Sequence, residues 1–569
     1  MNSSPYKHLD ASKREIRLLV LNPGLDELSG RLIHVSLDAK PSYEALSYTW
    51  GQPPFHHRIQ IDNHIFQIGA NLEGALRELR KPDVSKTLWI DAICINQSDE
   101  QERRQQVQEM QYIFASAVQV RAWIGENDEQ EESAISLLKH LKEEDLTNFS
   151  SNNFSSPKWI ALKNFWSQRY WKRIWIVQEV AVAHERVWIG YGNQWIRRSA
   201  FENALNILLT HRNNHETLLW EGIESEMDWF LNLSEICRRN IHPRANRNLQ
   251  DLEYLLYLTE HFEAKEPHDH FFALLGLSRQ EDRLAIPIDY SRCFADLCAK
   301  VLLHIIGRTK SLNVLSGNRS KRDDTLSSWM PSFSDPVRRG YGWNTFRKFQ
   351  AAGCSNAMVE LSSCRRLLTC KGIEIGKIEN IEGPFENSKS AFFNGRSLLK
   401  MRRIAMGVSR NDSFSTSPSQ FDIAFWETLL ANRSVKDVKS SLEQPSKQLD
   451  YLTKLLDKEN ADRETGLNDI QNELKSSLMP HICNLVSTLR FRCFFTTSNG
   501  FIGVGPYNIQ CGDLAVILFG ADVPFILREE GNGYSLIGDA FVYGIMNGEL
   551  LETTSHNYEN QNREQFKLN

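Results

Sequence analysis

A glutamate in aromatic company is the residue of this chain best placed to do chemistry. In the stretch YWKRIWIVQEVAVA (Tyr170 to Ala183), helical spacing sets Trp171, Trp175, Gln178 and Val182 on or beside the face that carries Glu179. A carboxylate held among apolar groups loses hydration. Its pKa then rises, and it can serve as a base or stabilise developing positive charge near neutral pH. The same carboxylate also fits a structural ion pair with Arg173, and such pairs perturb titration too. Two further segments offer polar groups where strands are expected to end: Ser47-Tyr48-Thr49-Trp50-Gly51 and Cys94-Ile95-Asn96-Gln97. Their hydroxyls, amides and stacking indole, with a glycine that lets a ligand approach the backbone, suit a ribose and a base. They suit equally an Asx turn leading into a helix capped at Ser98. Asp91 interrupts the apolar run LWIDAICI and needs a partner, Arg173 or a backbone donor; buried acids of this kind more often lock a fold than catalyse.

Other candidates are weaker. His268-Asp269-His270 lacks the further ligands a metal needs and reads as a loop or helix end. Gly500, Gly503 and Gly505 are followed by Pro506 within β-like patterning, so they read as turns rather than a phosphate loop. Cys94 sits inside ICI as a core thiol, and the 10 cysteines show no C-x-x-C pair, so no metal site is expected. Trp166, Trp171 and Trp175 read chiefly as core.

These groups need a scaffold, and the patterning supplies one. Ile59 to Ile68 alternates around Asp62-Asn63, a hairpin signal. Asn71 is positioned to cap a short helix through Leu79, and Leu88 to Ile95 has the length and bulk of a strand covered on both faces. From Asp99 to Ala117, Val107, Met110 and Phe114 follow helical spacing behind a capping-box arrangement of Ser98 and Gln101. Val118 to Ile124 then alternates as a strand. Strands holding Leu46, Ile93 and Val120 are therefore expected in one mainly parallel sheet. Amphipathic helices follow from about Phe201 to Ile306, Ser/Asn/Lys-rich loops over Ser409 to Gln420 and Ser434 to Lys447, and short β segments after Phe491.

Composition narrows the class. With 569 residues and roughly 150 per domain, three or four units are expected. The 66 Lys plus Arg against 71 Asp plus Glu leave no basic field, so nucleic-acid binding lacks its usual driving force. No apolar stretch has the roughly 18 residues of a membrane span, and the scattered cysteines fit a reducing, cytoplasmic location.

Three segments in order, YEALSYTWG (Tyr43 to Gly51), Leu88 to Gly125 and Tyr170 to Ala183, resemble the HET domain of filamentous fungi, named for heterokaryon incompatibility. HDHFFALLGL, IDYS, LSSWMP and GDAFVYGIMNGE extend the resemblance along most of the chain, more loosely between Cys354 and Arg490. The resemblance implies an effector of growth arrest or death on non-self fusion, acting with an incompatible allelic or non-allelic protein or through self-association as a homo-oligomer. It also implies a distant likeness to TIR domains, some of which cleave NAD at the nicotinamide bond with a glutamate behind a tryptophan. Trp175 and Glu179 hold the matching places, with Ile176 where a small residue or cysteine is usual. NAD would then be a substrate, no cofactor being required, with Ser47, Tyr48, Trp50, Gly51, Asn96, Gln97 and Trp175 binding it and Asp91 and Arg173 in support. The expected architecture is α/β. A lead-in over 1–42 precedes a flavodoxin/TIR-like, mainly parallel domain over 43–195 and a helical region over 196–350. A variable region over 351–490, a small β-rich module over 491–552 and a frayed polar tail over 553–569 complete it.

Overall fold

The computed structural model describes residues 5–126, 134–142, 156–214, 231–237, 251–317, 319, 325–331, 349–385, 395–408, 418–431, 489, 491–554 and 564–569. They fall into two compact units, Met1–Arg292 and Cys293–Asn569.

The first unit is built on a nine-stranded sheet. Its strands are β1 (Glu15–Leu21), β2 (Ser29–Ser36), β3 (Glu44–Tyr48), β4 (His57–Ile61), β5 (His64–Ile68), β6 (Lys86–Trp89), β7 (Gln119–Gly125), β8 (Val187–Tyr191) and β9 (Gln194–Arg197). Their spatial order is β5-β4-β2-β1-β6-β3-β7-β8-β9. β6, β3, β7 and β8 run parallel to their neighbours within that group, while β1 pairs antiparallel with both β2 and β6. The hairpins β4–β5 and β8–β9 add further antiparallel pairs. The sheet is thus mixed: β6, β3, β7 and β8 form a parallel centre and β2 pairs parallel with β4, while the remaining pairs are antiparallel, which corrects the expectation of a mainly parallel sheet. Tight connections force this: a two-residue link such as Asp62-Asn63, with Asp62 at φ 52°, can join only antiparallel strands.

The helices that position the site are α1 (Ala70–Leu79), α2 (Asp91–Cys94), α3 (Glu100–Ser116), α4 (Ala134–His140), α5 (Pro157–Ser167), α6 (Trp175–Ala181) and α7 (Arg198–Asn214). They are joined by α8 (Leu252–Leu258) and α9 (Asp269–Leu275). Two local expectations are corrected. Leu88 to Ile95 is not one strand: β6 ends at Trp89, and Asp91 opens the single-turn helix α2, burying Ile93 and Cys94 from a helix rather than a strand. A short apolar run cannot distinguish the two, and Asp91 favours the helix start by accepting from the Ala92 amide at 2.7 Å. The cap of α3 is Asp99, not Ser98; its carboxylate accepts from the amides of Gln101 at 3.0 Å and Glu102 at 3.1 Å.

Arg17 on β1 is fully buried and bidentate to Glu102 on α3, at 2.6 and 2.9 Å. It also donates to the carbonyls of Cys94 and Lys7. The pair joins the lead-in to α2 and α3. Opposite it, Phe165, Trp166, Trp171 and Phe201 form an aromatic core, with Trp171 stacked on Phe201 at 5.8 Å.

The second unit is β-rich. β10 (Val359–Leu361), β11 (Leu368–Glu382), β12 (Arg492–Thr497), β13 (Ile502–Pro506), β14 (Leu514–Leu518), β15 (Phe525–Glu530), β16 (Gly533–Asp539), β17 (Phe541–Val542) and β18 (Glu564–Leu568) make its sheet. The path β14-β15-β16-β18-β11 closes on itself because β11 pairs again with β14. The tail expected to fray supplies β18: Phe566 and Leu568 are buried and pair with Cys370 and Leu368 of β11. Two apolar residues in a polar stretch were too weak a signal without that partner strand. The expected loop over 434–447 and most of that over 409–420 lie outside the described residues; 418–420 begin a helix, Pro418–Leu429.

Phe114 is buried to 1% and meets Trp89 edge to face at 5.4 Å. Changing Phe114 to Ala is expected to cost about 3–5 kcal/mol in equilibrium denaturation, because the sheet cannot collapse into the space left.

Candidate functional site

Strand β3 ends in Ser47 and Tyr48, both buried, and β6 ends just before Asp91. Alongside them a 3₁₀ turn (Arg169–Lys172) delivers Tyr170 and Trp171, and α6 delivers Glu179. Ser47 Oγ donates to Glu179 Oε2 and lies 2.8 Å from the Tyr170 hydroxyl. Arg173 Nη1 donates to the Tyr48 carbonyl, and its Nη2 stands 3.9 Å from Glu179 Oε1. Trp50 Nε1 donates to Asp91 Oδ2 at 2.8 Å.

The geometry explains the electrostatics. Burial pushes the Glu179 carboxyl up to about 7; Arg173 and the Ser47 hydrogen bond pull it down, and Asp91 raises it again. Burial also raises Asp91 above the ordinary carboxylate range, against Arg173 and the Trp50 hydrogen bond. One guanidinium thus serves two carboxylates. Near neutral pH, Glu179 is poised between its two protonation states and can take up or release a proton. The residue is only 2% exposed; the Ser47 hydroxyl bonds it directly, and Tyr170 bonds Ser47 in turn.

The expected site residues divide by location. Ser47, Tyr48, Arg173 and Glu179 meet in one buried cluster, with Asp91 and Trp50 beside it. Asn96 and Gln97 do not join them as ligand groups. Asn96 Oδ1 accepts from the Ser98 amide at 3.3 Å, its own amide donates to Glu102 at 2.6 Å, and Gln97 Nε2 donates to the Asp91 carbonyl at 3.0 Å. These are the contacts of a turn between α2 and α3. Trp175 faces away from the cluster's hydroxyls, donating to Asp269 Oδ2 at 3.0 Å. Asp269 is buried at the start of α9 and also accepts from Tyr290 at 2.8 Å; burial lifts its carboxyl to about 6. Among the described residues, no group of three or more His, Cys, Asp or Glu could hold a metal ion.

Beside the cluster opens a cleft of about 320 Å³. Of the expected ligand residues only Gly51 lines it, held at φ 81° with open space where a Cβ would stand. Thr49, Asn71, Gly125, Glu126, Arg169 and Tyr170 also line it. Of these six, sequence reasoning placed only Thr49 in a segment offered for ligand contact; the other five come from three further elements. Asn71 was expected to cap α1; Gly69 takes that position, and Asn71 Nδ2 instead donates to the Thr49 carbonyl at 2.9 Å. The one available signal was position: Thr49 lies in the polar segment that follows β3, and Tyr170 opens the third quoted segment.

Residues 43–179 match the family model "Heterokaryon incompatibility protein (HET)". The chain carries a HET domain. Residues 427–561 match a second model, the Het-6 beta-barrel domain. The strands β11 and β18 that close the barrel lie outside that matched range. Along 95% of its length the chain is 24% identical to heterokaryon incompatibility protein 6, OR allele, of Neurospora crassa, and 94% of that protein is covered. No solved structure matches. The HET match ends at Glu179 itself, in the middle of α6.

A glutamate whose pKa is raised by folding makes a pH-dependent contribution. That contribution is fully present below the ordinary carboxylate range and is lost as pH rises through about 7. Glu179→Gln should remove this loss, so the variant gains stability relative to the natural chain between about pH 5 and pH 8, by an amount on the order of 3 kcal/mol. Arg173→Met should move the window to higher pH. Denaturation midpoints across pH check both.

Proposed function

We propose that the chain is a heterokaryon-incompatibility effector, arresting growth or killing the fused cell from its cytoplasm when it meets an incompatible allelic or non-allelic protein. The observation that carries this is the pairing of both HET-family modules in one chain that aligns almost end to end with the Neurospora protein. For chemistry, we propose TIR-like hydrolysis of a nicotinamide glycosidic bond, as in NAD. The bond from C1′ to nitrogen breaks and its electron pair leaves with nicotinamide. Glu179 stabilises the positive charge on ribose and accepts a proton from the water that attacks C1′. The supporting geometry is the chain of contacts from the cleft wall at Tyr170 through the Ser47 hydroxyl to the buried Glu179 carboxyl, which burial pushes up to about 7.

The near-complete burial of Glu179 favours a second reading, in which HET domains assemble and recruit other death factors without catalysis. Purified full-length chain, with and without enforced clustering, separates the two. On the enzymatic reading nicotinamide is released, and Glu179→Gln lowers the rate by about 10²-fold or more with a melting temperature no lower than that of the natural chain. On the assembly reading no nicotinamide appears, yet expression with an incompatible partner still arrests growth. Deleting Leu88 to Gly125 should abolish arrest on either reading, since it removes half of β6 together with α2, α3 and β7. Persistent toxicity from a folded deletion product would place the effector elsewhere.

A further inference from the structure

The cleft lies where the connections of the parallel strands diverge. From β3 the chain passes through β4, β5 and α1 and returns as β6 on one side of β3; from β7 it passes through α4, α5 and α6 and returns as β8 on the other side. β3 and β7 are adjacent and parallel. Two neighbouring strands whose connections leave in opposite directions open a crevice at their carboxyl ends, and that crevice is where open α/β sheets take ligands. Thr49, just past β3, and Gly125 and Glu126, at the end of β7, form its walls.

Three features define what would fit. The first turn of α1 borders the cleft at Ala70 and Asn71, and its N-cap Gly69 contributes no side-chain acceptor. The helix itself cannot satisfy its first amides, which therefore favour an anion. Arg169 adds a cation whose side chain is 65% exposed and, among the described residues, is paired with Glu263 at 3.9 Å. Second, the Thr49 hydroxyl is shielded from solvent and has no hydrogen-bond partner within the described residues. Third, Glu126 lines the cleft with its carboxylate lying against α1 at Gly74, one turn from Ala70 and Asn71, and supplies an acceptor for sugar hydroxyls. The volume, about 320 Å³, lies near the lower bound of ligand pockets, so it seats one nucleotide rather than two.

We propose that this cleft binds a single ribonucleoside 5′-phosphate, or that portion of a larger nucleotide, with its phosphate toward Arg169 and the start of α1 and its ribose toward Glu126. Tyr170 in the cleft wall, bonded to Ser47 and through it to Glu179, links the bound ligand to the buried carboxylate. That link rests on the nucleotide-cleaving reading above; the binding site does not.

The test is calorimetric titration of the purified full chain with AMP, adenosine and 2′-deoxy-AMP. AMP should bind more tightly than either of the others. Arg169→Gln should weaken AMP by about tenfold and leave adenosine unchanged, since a charge-assisted contact is lost. Glu126→Gln should erase the preference for AMP over its 2′-deoxy form. Absence of AMP binding at about millimolar concentration, or binding indifferent to both substitutions, overturns the proposal. NAD cleavage measured on the same preparations keeps the two ideas separate. AMP binding with the expected variant pattern and no cleavage sustains the cleft and removes the enzyme. Cleavage that depends on Glu179 but ignores Arg169 and Glu126 sustains the enzyme and removes the cleft.

Discussion

The first unit depends on where one guanidinium is spent. Arg173 donates to the Tyr48 carbonyl at the end of β3 and faces Glu179 at 3.9 Å, while its charge is also felt at Asp91. Two buried acids and one cation cannot all be compensated. Something must be held neutral or be stabilised by neutral donors. Asp91 takes the donors, from the Trp50 indole and the Ala92 amide. Glu179 takes a hydroxyl from Ser47 and carries the raised titration. Replacing Arg173 would leave both acids without a counter-charge in an apolar setting, where an unpaired carboxylate neutralises rather than stays ionised.

That arrangement needs more chain than the HET match covers. Arg173 forms a bridge with Glu263, and the Ile174 amide donates to the Glu263 carbonyl at 3.0 Å. Trp175 is fixed by Asp269, and Gln178 lies so close over Gly276 that a Cβ there would have no room. Residues 263–276 therefore set the backbone of the segment that presents Arg173 and Glu179. On the opposite flank the lead-in does the same for α2 and α3, through Arg17 and its grip on Glu102 and the Cys94 carbonyl. Both supports lie outside residues 43–179, and the compact unit accordingly runs from the lead-in to Arg292.

The sequence made legible what is local and periodic. The hairpin at Asp62-Asn63, the helix through Met110 and Phe114 and the strand ending at Gly125 all follow from spacing; the helical face expected to join Trp171 and Trp175 to Glu179 does not, since Trp171 belongs to a separate 3₁₀ turn and Trp175 is bonded to Asp269. Asp91 was misplaced because a buried helical turn and a buried strand share the same run of apolar residues. The partnership of Trp175 with Asp269 spans 94 positions, and that of Ser47 with Glu179 spans 132. No periodicity encodes either. Arg17 is harder still: a charge in a strand reads as solvent-facing until Glu102 is known to meet it.

The cleft shows why a site can be invisible residue by residue and still follow from topology. Thr49, Asn71, Glu126 and Arg169 are unremarkable types in polar segments, and each has an ordinary reading as a turn or surface residue. They become neighbours because β6 returns on one side of β3 and β8 on the other side of β7. Placing a ligand there needs no groove cut into the core, since the diverging connections leave the strand ends uncovered. The neighbouring cluster has the opposite character: buried and short of one positive charge. A hydroxyl pair, Tyr170 and Ser47, is all that stands between an open polar cleft and a carboxylate titrating near neutrality. Tyr170 is bonded to Ser47 and Ser47 to Glu179, so any contact that reorients the Tyr170 hydroxyl would alter the stability of ionised Glu179 through two hydrogen bonds.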